Sequence, residues 1–180
     1  MGMHQDLENQ RREYSRVAAY IPFEYRIVPQ EEKHHLQARI LGDMTSTESV
    51  SIPDRGDYDP ILGEWLKILN LKLDMIIRLM TLQREGYFGL SFKAVNISGG
   101  GLSFPAAQEI PLGEILEIKM ILKLQQPIEL CIYGEVVKVE KRTDGYFIAV
   151  HHIYMDYYIR DVIVRFVFER EREIIREKRR

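Results

Sequence analysis

The chain has one cysteine, Cys131, and one tryptophan, Trp65. A lone cysteine cannot form an internal disulfide, so a secreted, bridge-stapled scaffold is excluded, and its apolar neighbours mark it as core filling. No run approaches the ~20 consecutive apolar residues that a membrane span requires. The opening Met-Gly-Met-His-Gln-Asp-Leu-Glu has neither the basic start nor the apolar stretch of a signal peptide. A cytoplasmic protein is expected. Charge of one sign is also missing: 25 Lys and Arg stand against 27 Asp and Glu, for a formal net charge of -2. A general nucleic-acid binder would be strongly basic, so any anionic ligand must be held by a local cluster of cations. Catalytic machinery is equally scarce. Ser98 lacks the strand-to-helix elbow that exposes a nucleophile, and no acid or base is tied to it by spacing. The pairs His34-His35 and His151-His152 put adjacent side chains on opposite faces of a strand, so neither pair chelates as a unit, and neither a metal nor an enzyme activity is expected.

What the chain does contain is enough for one domain with an elaboration: 180 residues, 46% hydrophobic and 29% charged. Val17 to Ile27 alternates, with Val17, Ala19, Ile21, Phe23, Tyr25 and Ile27 apolar and Glu24 and Arg26 opposite, the pattern of a half-buried strand. Pro22, on the polar side, predicts an edge or a bulge. A shorter strand is expected at Leu36 to Leu41. Residues 42 to 59 are rich in Ser, Thr, Asp and Gly and form an excursion that ends in Asp59-Pro60, a helix start. From Ile61 to Gln83 the apolar residues fall on two heptad seams, Leu62, Leu66, Leu69, Leu73, Ile76 and Met80 beside Ile61, Trp65, Ile68, Met75 and Leu79. A helix resting on its own domain needs only a stripe about 100° wide, so the second seam predicts self-association through residues 61–82, against the alternative of a helix wedged inside its own domain. Gly86 ends the helix.

Downstream, Leu116 to Leu124 alternates strongly, and the apolar phase shifts between Ile132 and Val137, which predicts a bulge near Gly134. Asp144-Gly145 reads as a hairpin turn. Asp156 caps a last helix over 156–180 with Ile159, Ile163, Phe166 and Val167 on one face, and its charged end of mixed sign reads as solvated.

The stretch on which a function rests is Val-Asn-Ile-Ser-Gly-Gly-Gly-Leu-Ser-Phe, residues 95–104. It reads as strand, glycine bend and strand, with Asn96 and Ser98 offering short polar groups and the glycines allowing a ligand close to the backbone or a positive φ. An ordinary glycine hairpin would account for this stretch alone. Far upstream, Arg12 and Arg16 stand four apart at the mouth of the first strand, with Arg11 beside them. The combination Arg12-x-x-x-Arg16 and Asn96-x-Ser98-x-x-Gly101 resembles the two-part signature of PilZ domains, with Asn where Asp is common.

That resemblance implies a small bacterial six- or seven-stranded antiparallel β-barrel spanning residues 1–180 as a single domain. Residues 1–16 would be an arm carrying the Arg motif, 42–86 an inserted loop and helix, and 156–180 a C-terminal helix. It further implies a receptor for cyclic di-GMP that uses no other cofactor. Arg11, Arg12 and Arg16 would grip phosphates and guanine edges, which guanidinium forks match, while Asn96, Ser98, Gly100 and Gly101 form the opposite wall. The partners expected are the ligand, a downstream protein and further copies of the chain. A structural adaptor that binds only proteins is the competing reading.

Overall fold

The computed structural model describes residues 14–41 and 60–179. The expectations for Arg11 and Arg12, for the arm they sit on up to residue 13, and for the Asp59 cap and the loop over 42–59 lie outside the described residues.

Strand β1 (Arg16–Ile27) follows the alternation of its sequence, burying Val17, Ala19, Ile21 and Phe23. It pairs antiparallel with β3 (Phe92–Ser98) as far as Pro22, then with β5 (Ile115–Lys123) from Phe23 onward. Pro22, with no N–H to give to a ladder, stands where one partner hands over to the other. The Phe23 N–H reaches the Ser91 carbonyl at 3.0 Å. β4 (Gly101–Ala106), β6 (Pro127–Arg142) and β7 (Gly145–Ile153) complete a ring in the order β6-β5-β1-β3-β4-β7, closed by β6 pairing with β7. The result is a six-stranded antiparallel barrel with β2 (Arg39–Leu41) added on β6. Closure removes the exposed edges that an open sheet of this size would carry.

Two sequence expectations need correction. The second strand is shorter than Leu36 to Leu41, because the Ala38 N–H is committed to the Tyr154 carbonyl at 3.2 Å and only Arg39 to Leu41 join the ladder. The irregularity expected near Gly134 lies further on. Gly134 pairs regularly with Leu116 and His152, while the register slips between Val136 and Lys138, leaving Val137 exposed as the extra residue. Gly134 serves packing instead, since a Cβ there would sit 2.9 Å from a methyl of Val150.

The C-terminal helix α2 (Tyr157–Lys178) starts at Asp156, whose Oδ1 accepts the Ile159 N–H at 2.8 Å. Ile159, Ile163, Phe166 and Val167 are buried as their spacing predicts, together with Val162, and they join the core formed by the barrel interior. The helix lies against β1, β3 and β5.

The inserted helix α1 (Pro60–Arg84) behaves otherwise. Every Leu, Ile, Met and Trp from Ile61 to Met80 is exposed, Trp65 at 61% and Leu69 at 52%. The helix is therefore not wedged within its own domain. Its C-terminal part is anchored: Leu82 packs with Leu41, Tyr87 and Cys131 in a small second core, and Arg78 pairs with Glu129 at 2.7 Å. Lys119 donates to the Glu85 carbonyl at 2.7 Å, satisfying a helix-end acceptor with a cation. Gly86, at φ +81°, ends the helix in the left-handed conformation that costs glycine least. Burial pushes the Cys131 thiol up to about 11, in keeping with an inert core residue.

Candidate functional site

Strand pairing brings Arg16, the described member of the upstream Arg pair, to the downstream half of the sequence motif. Arg16 lies directly opposite Ser98, and Ala18 opposite Asn96. Because Val17, Ala19, Val95 and Ile97 fill the interior, Arg16, Asn96 and Ser98 all belong to the outer face, where period-2 geometry places them side by side. Arg16 is exposed. Asn96 has a buried Oδ1 with no hydrogen-bond partner among the described residues. An amide oxygen withdrawn from water and left unpaired is costly.

The bend holds itself together. The Ser98 hydroxyl is buried and donates to the Gly101 carbonyl at 3.0 Å, so this side chain is part of the turn's own scaffold. None of the three consecutive glycines has a positive φ. What demands glycine is close approach: a Cβ on Gly101 would lie 2.3 Å from the Val150 carbonyl oxygen, and one on Gly99 would lie 2.7 Å from the Tyr14 ring and 2.8 Å from a Val164 methyl. Gly100 is under less pressure, its imagined Cβ meeting only the Tyr14 ring at 3.4 Å.

Residues that the sequence reading missed converge on this bend from three directions. Arg160, one turn into α2, donates through Nη1 to the Gly99 carbonyl at 3.3 Å, and its guanidinium sits 5.7 Å from the centre of the Tyr14 ring. His152, at the end of β7, donates its backbone N–H to Gly100 at 3.0 Å. The residue is 2% exposed, and neither ring nitrogen has a hydrogen-bond partner among the described residues. Burial pushes its pKa down to about 4; the backbone of Gly99 opposes that shift, short of hydrogen-bond geometry, and the charge of Arg160 reinforces it. Ser15 donates to Glu171 and so ties the start of the first strand to α2. A cavity of about 70 Å³ lies between Tyr14, Gly99, Val164 and Phe168. Only His152 carried a signal in the sequence, as the buried member of an adjacent pair whose other member, His151, is exposed. Tyr14 and Arg160 meet the bend through tertiary packing alone.

A larger concavity of about 660 Å³, bounded by Arg78, Glu129, Tyr158 and Arg165 among others, lies between α1, the β5–β6 hairpin and α2. None of the motif residues lines it. Among the described residues the site is thus an open face of the barrel rather than an enclosed pocket, with an exposed cation at Arg16 beside the amide of Asn96. That arrangement suits a polar, anionic ligand.

The PilZ domain family model matches residues 72–169, from the middle of α1 to within α2. The matched span contains Asn96, Ser98, Gly100 and Gly101 and leaves out β1 with Arg16. Among solved structures, the chain is similar to a pathogenic protein from Xanthomonas campestris, described as a new tetrameric PilZ domain self-assembled via an unusual helical bundle. The TM-score is 0.57 and the identity 16%, over 97% of this chain and 99% of that one. At that identity the likeness speaks for the fold. No curated protein matches the chain.

Proposed function

The chain belongs to the PilZ domain family, and on that footing we propose that it is a receptor for cyclic di-GMP that passes ligand binding to a protein partner. The observation that carries this reading is the juxtaposition of Arg16 with Ser98 and Asn96 on one outer face, two halves of a motif roughly eighty positions apart joined by strand register. The Oδ1 of Asn96, without a partner among the described residues, adds an acceptor for a guanine N–H. Arg16 supplies the guanidinium for a phosphate or for the O6/N7 edge of the base, and Arg11 and Arg12 supply two more from the arm. A ligand drawn against the Gly99–Gly101 bend presses on the segment that Arg160 and His152 hold, which gives binding a route to α2. Titration calorimetry with cyclic di-GMP on the full chain tests the reading. Saturable binding that weakens as salt rises is expected, because the ligand carries two phosphate charges. No heat at high micromolar ligand would overturn it.

A second reading, an oligomeric adaptor that binds only proteins, is favoured by a separate observation, the exposed apolar surface all along α1. Self-association through that helix is compatible with either reading. We place it in the function because an apolar surface of this extent on a soluble chain marks an interface. The helical bundle named for the Xanthomonas campestris protein offers a parallel.

A further inference from the structure

Beyond the motif, the outer face of β1 and β3 carries a feature with no role in the barrel's core. Tyr20 and Phe92 stack with ring centroids 5.5 Å apart and 27° between planes, yet they remain 69% and 57% exposed. They lie on the same face as Arg16, Asn96 and Ser98, by register: Tyr20 pairs with Ala94 and Pro22 with Phe92, as Ala18 pairs with Asn96. Between the polar end and the aromatic end, this face presents only Ala18 and Ala94, both exposed. The strip is therefore polar at one end and aromatic at the other, with two alanine methyl groups between. At ~3.3 Å per residue, Tyr20 stands about 7 Å from the level of Asn96 and about 13 Å from that of Arg16. Those spans suit a ligand with two bases and a phosphate-bearing ring between them, and they exceed the reach of a single nucleobase.

We propose that Tyr20 and Phe92 form a stacking subsite for the second base of a purine dinucleotide whose first base and phosphates engage Arg16 and Asn96. This rests on the receptor reading above and adds to it the location of the far half of the ligand. Every base offers a flat π-face, and an exposed aromatic ring held by a neighbour is a low-entropy platform for it. A cross-strand aromatic pair can also serve only to steady a sheet. That simpler role would be met as well by aliphatic side chains, which supply the same apolar area without the π-face.

The test uses the full chain with Tyr20→Leu and Phe92→Leu combined, which keeps the apolar cover of both strands. Calorimetry with cyclic di-GMP is expected to show affinity about tenfold weaker than that of the unmodified protein, and Tyr20→Phe to leave it unchanged. A cyclic dinucleotide with one guanine replaced by 2-aminopurine provides the second readout: its fluorescence is expected to be quenched by the unmodified protein and less so by the double variant. Equal affinity and equal quenching in both proteins, with Arg16→Ala still weakening the ligand, would overturn the subsite and leave the receptor reading standing. Absence of any binding to the unmodified protein would remove both.

Discussion

Placing one methyl group at three neighbouring positions separates the scaffold role of the bend from its ligand role. Gly99, Gly100 and Gly101 have the same chemistry and none has a positive φ, so alanine costs little in intrinsic backbone preference at any of them. Their surroundings differ. At Gly101 the new Cβ would lie 2.3 Å from the Val150 carbonyl oxygen, about 1 Å inside ordinary contact, and that oxygen belongs to the β7 backbone. Relief requires β4 to move off β7, loosening pairs such as Gly101 with His151 and disturbing the Ser98 bond to the Gly101 carbonyl. Overpacking of about 1–3 kcal/mol, with the loss of one or two hydrogen bonds at about 1 kcal/mol each, puts Gly101→Ala at about 2–5 kcal/mol. At Gly99 the obstacles are a tyrosine ring and a valine methyl, which side-chain movement relieves at about 1–2 kcal/mol. At Gly100 the contact is ordinary, and Gly100→Ala should stay within about 0.5 kcal/mol of the unmodified protein. Urea unfolding followed by circular dichroism reads all three, through the shift of midpoint at constant slope. Gly101→Ala as stable as Gly100→Ala would refute the reasoning, because the close approach of β7 is its only basis.

Three further outcomes are expected. Arg16→Ala should weaken cyclic di-GMP binding about tenfold to a hundredfold, the loss of one charge-assisted contact at about 1.5–3 kcal/mol, and leave the unfolding midpoint nearly unchanged because the side chain is exposed; calorimetry showing full affinity would count against the site. Leu69→Glu combined with Ile76→Glu places charge in the exposed apolar surface of α1 and should turn an oligomer into monomers by light scattering; an unmodified protein already monomeric would contradict assembly through α1. His152 is held neutral by burial, with its folded pKa down at about 4, below its unfolded value near 6.5. The unfolded chain therefore binds the extra proton between these values, and stability falls as pH drops from about 6.5 toward 4, by at most about 1.4 kcal/mol per pH unit from this group. Replacing His152 with Leu should flatten that limb in pH-dependent urea unfolding, and an unchanged slope would show that the ring titrates normally.

Where the reading from sequence succeeded, the determinants were local. The alternation of β1, the Asp156 cap, the left-handed stop at Gly86 and the turn before Gly145 each depend on residues within a few positions of one another. So does the excess apolar surface of α1, which exceeds what any one barrel face covers. Failures came where distant segments decide. Val137 rather than Gly134 is the bulge because β7 sets the count on the opposite strand, and no run of residues in β6 alone encodes it. The glycines of the bend invited an explanation by φ, the property that glycine shows in isolation, whereas the constraint comes from Val150, Tyr14 and Val164. Arg160 and Tyr14 reach the bend only once α2 is docked, so motif spacing was blind to them.

The handover at Pro22 has a bearing on how the molecule folds. Two units can form by neighbouring hairpins, β3 with β4, and β5 with β6 and then β7, and β4 pairs with β7 across a longer stretch of chain. β1 alone must find two partners that are both far along the chain, Ser98 for Arg16 and Met120 for Phe23. Ring closure therefore waits on a long-range search, the slow and entropically expensive kind of step. The segment between β2 and β3, with α1 in it, makes up about three fifths of the span between Arg16 and Ser98. Yet closure entropy grows only with the logarithm of length, so removing that segment would ease the search by about 0.8 kcal/mol. A barrel closed in this way can accommodate an entire helix between two strands at almost no cost to its own stability, and the helix is free to be shaped by what it meets outside.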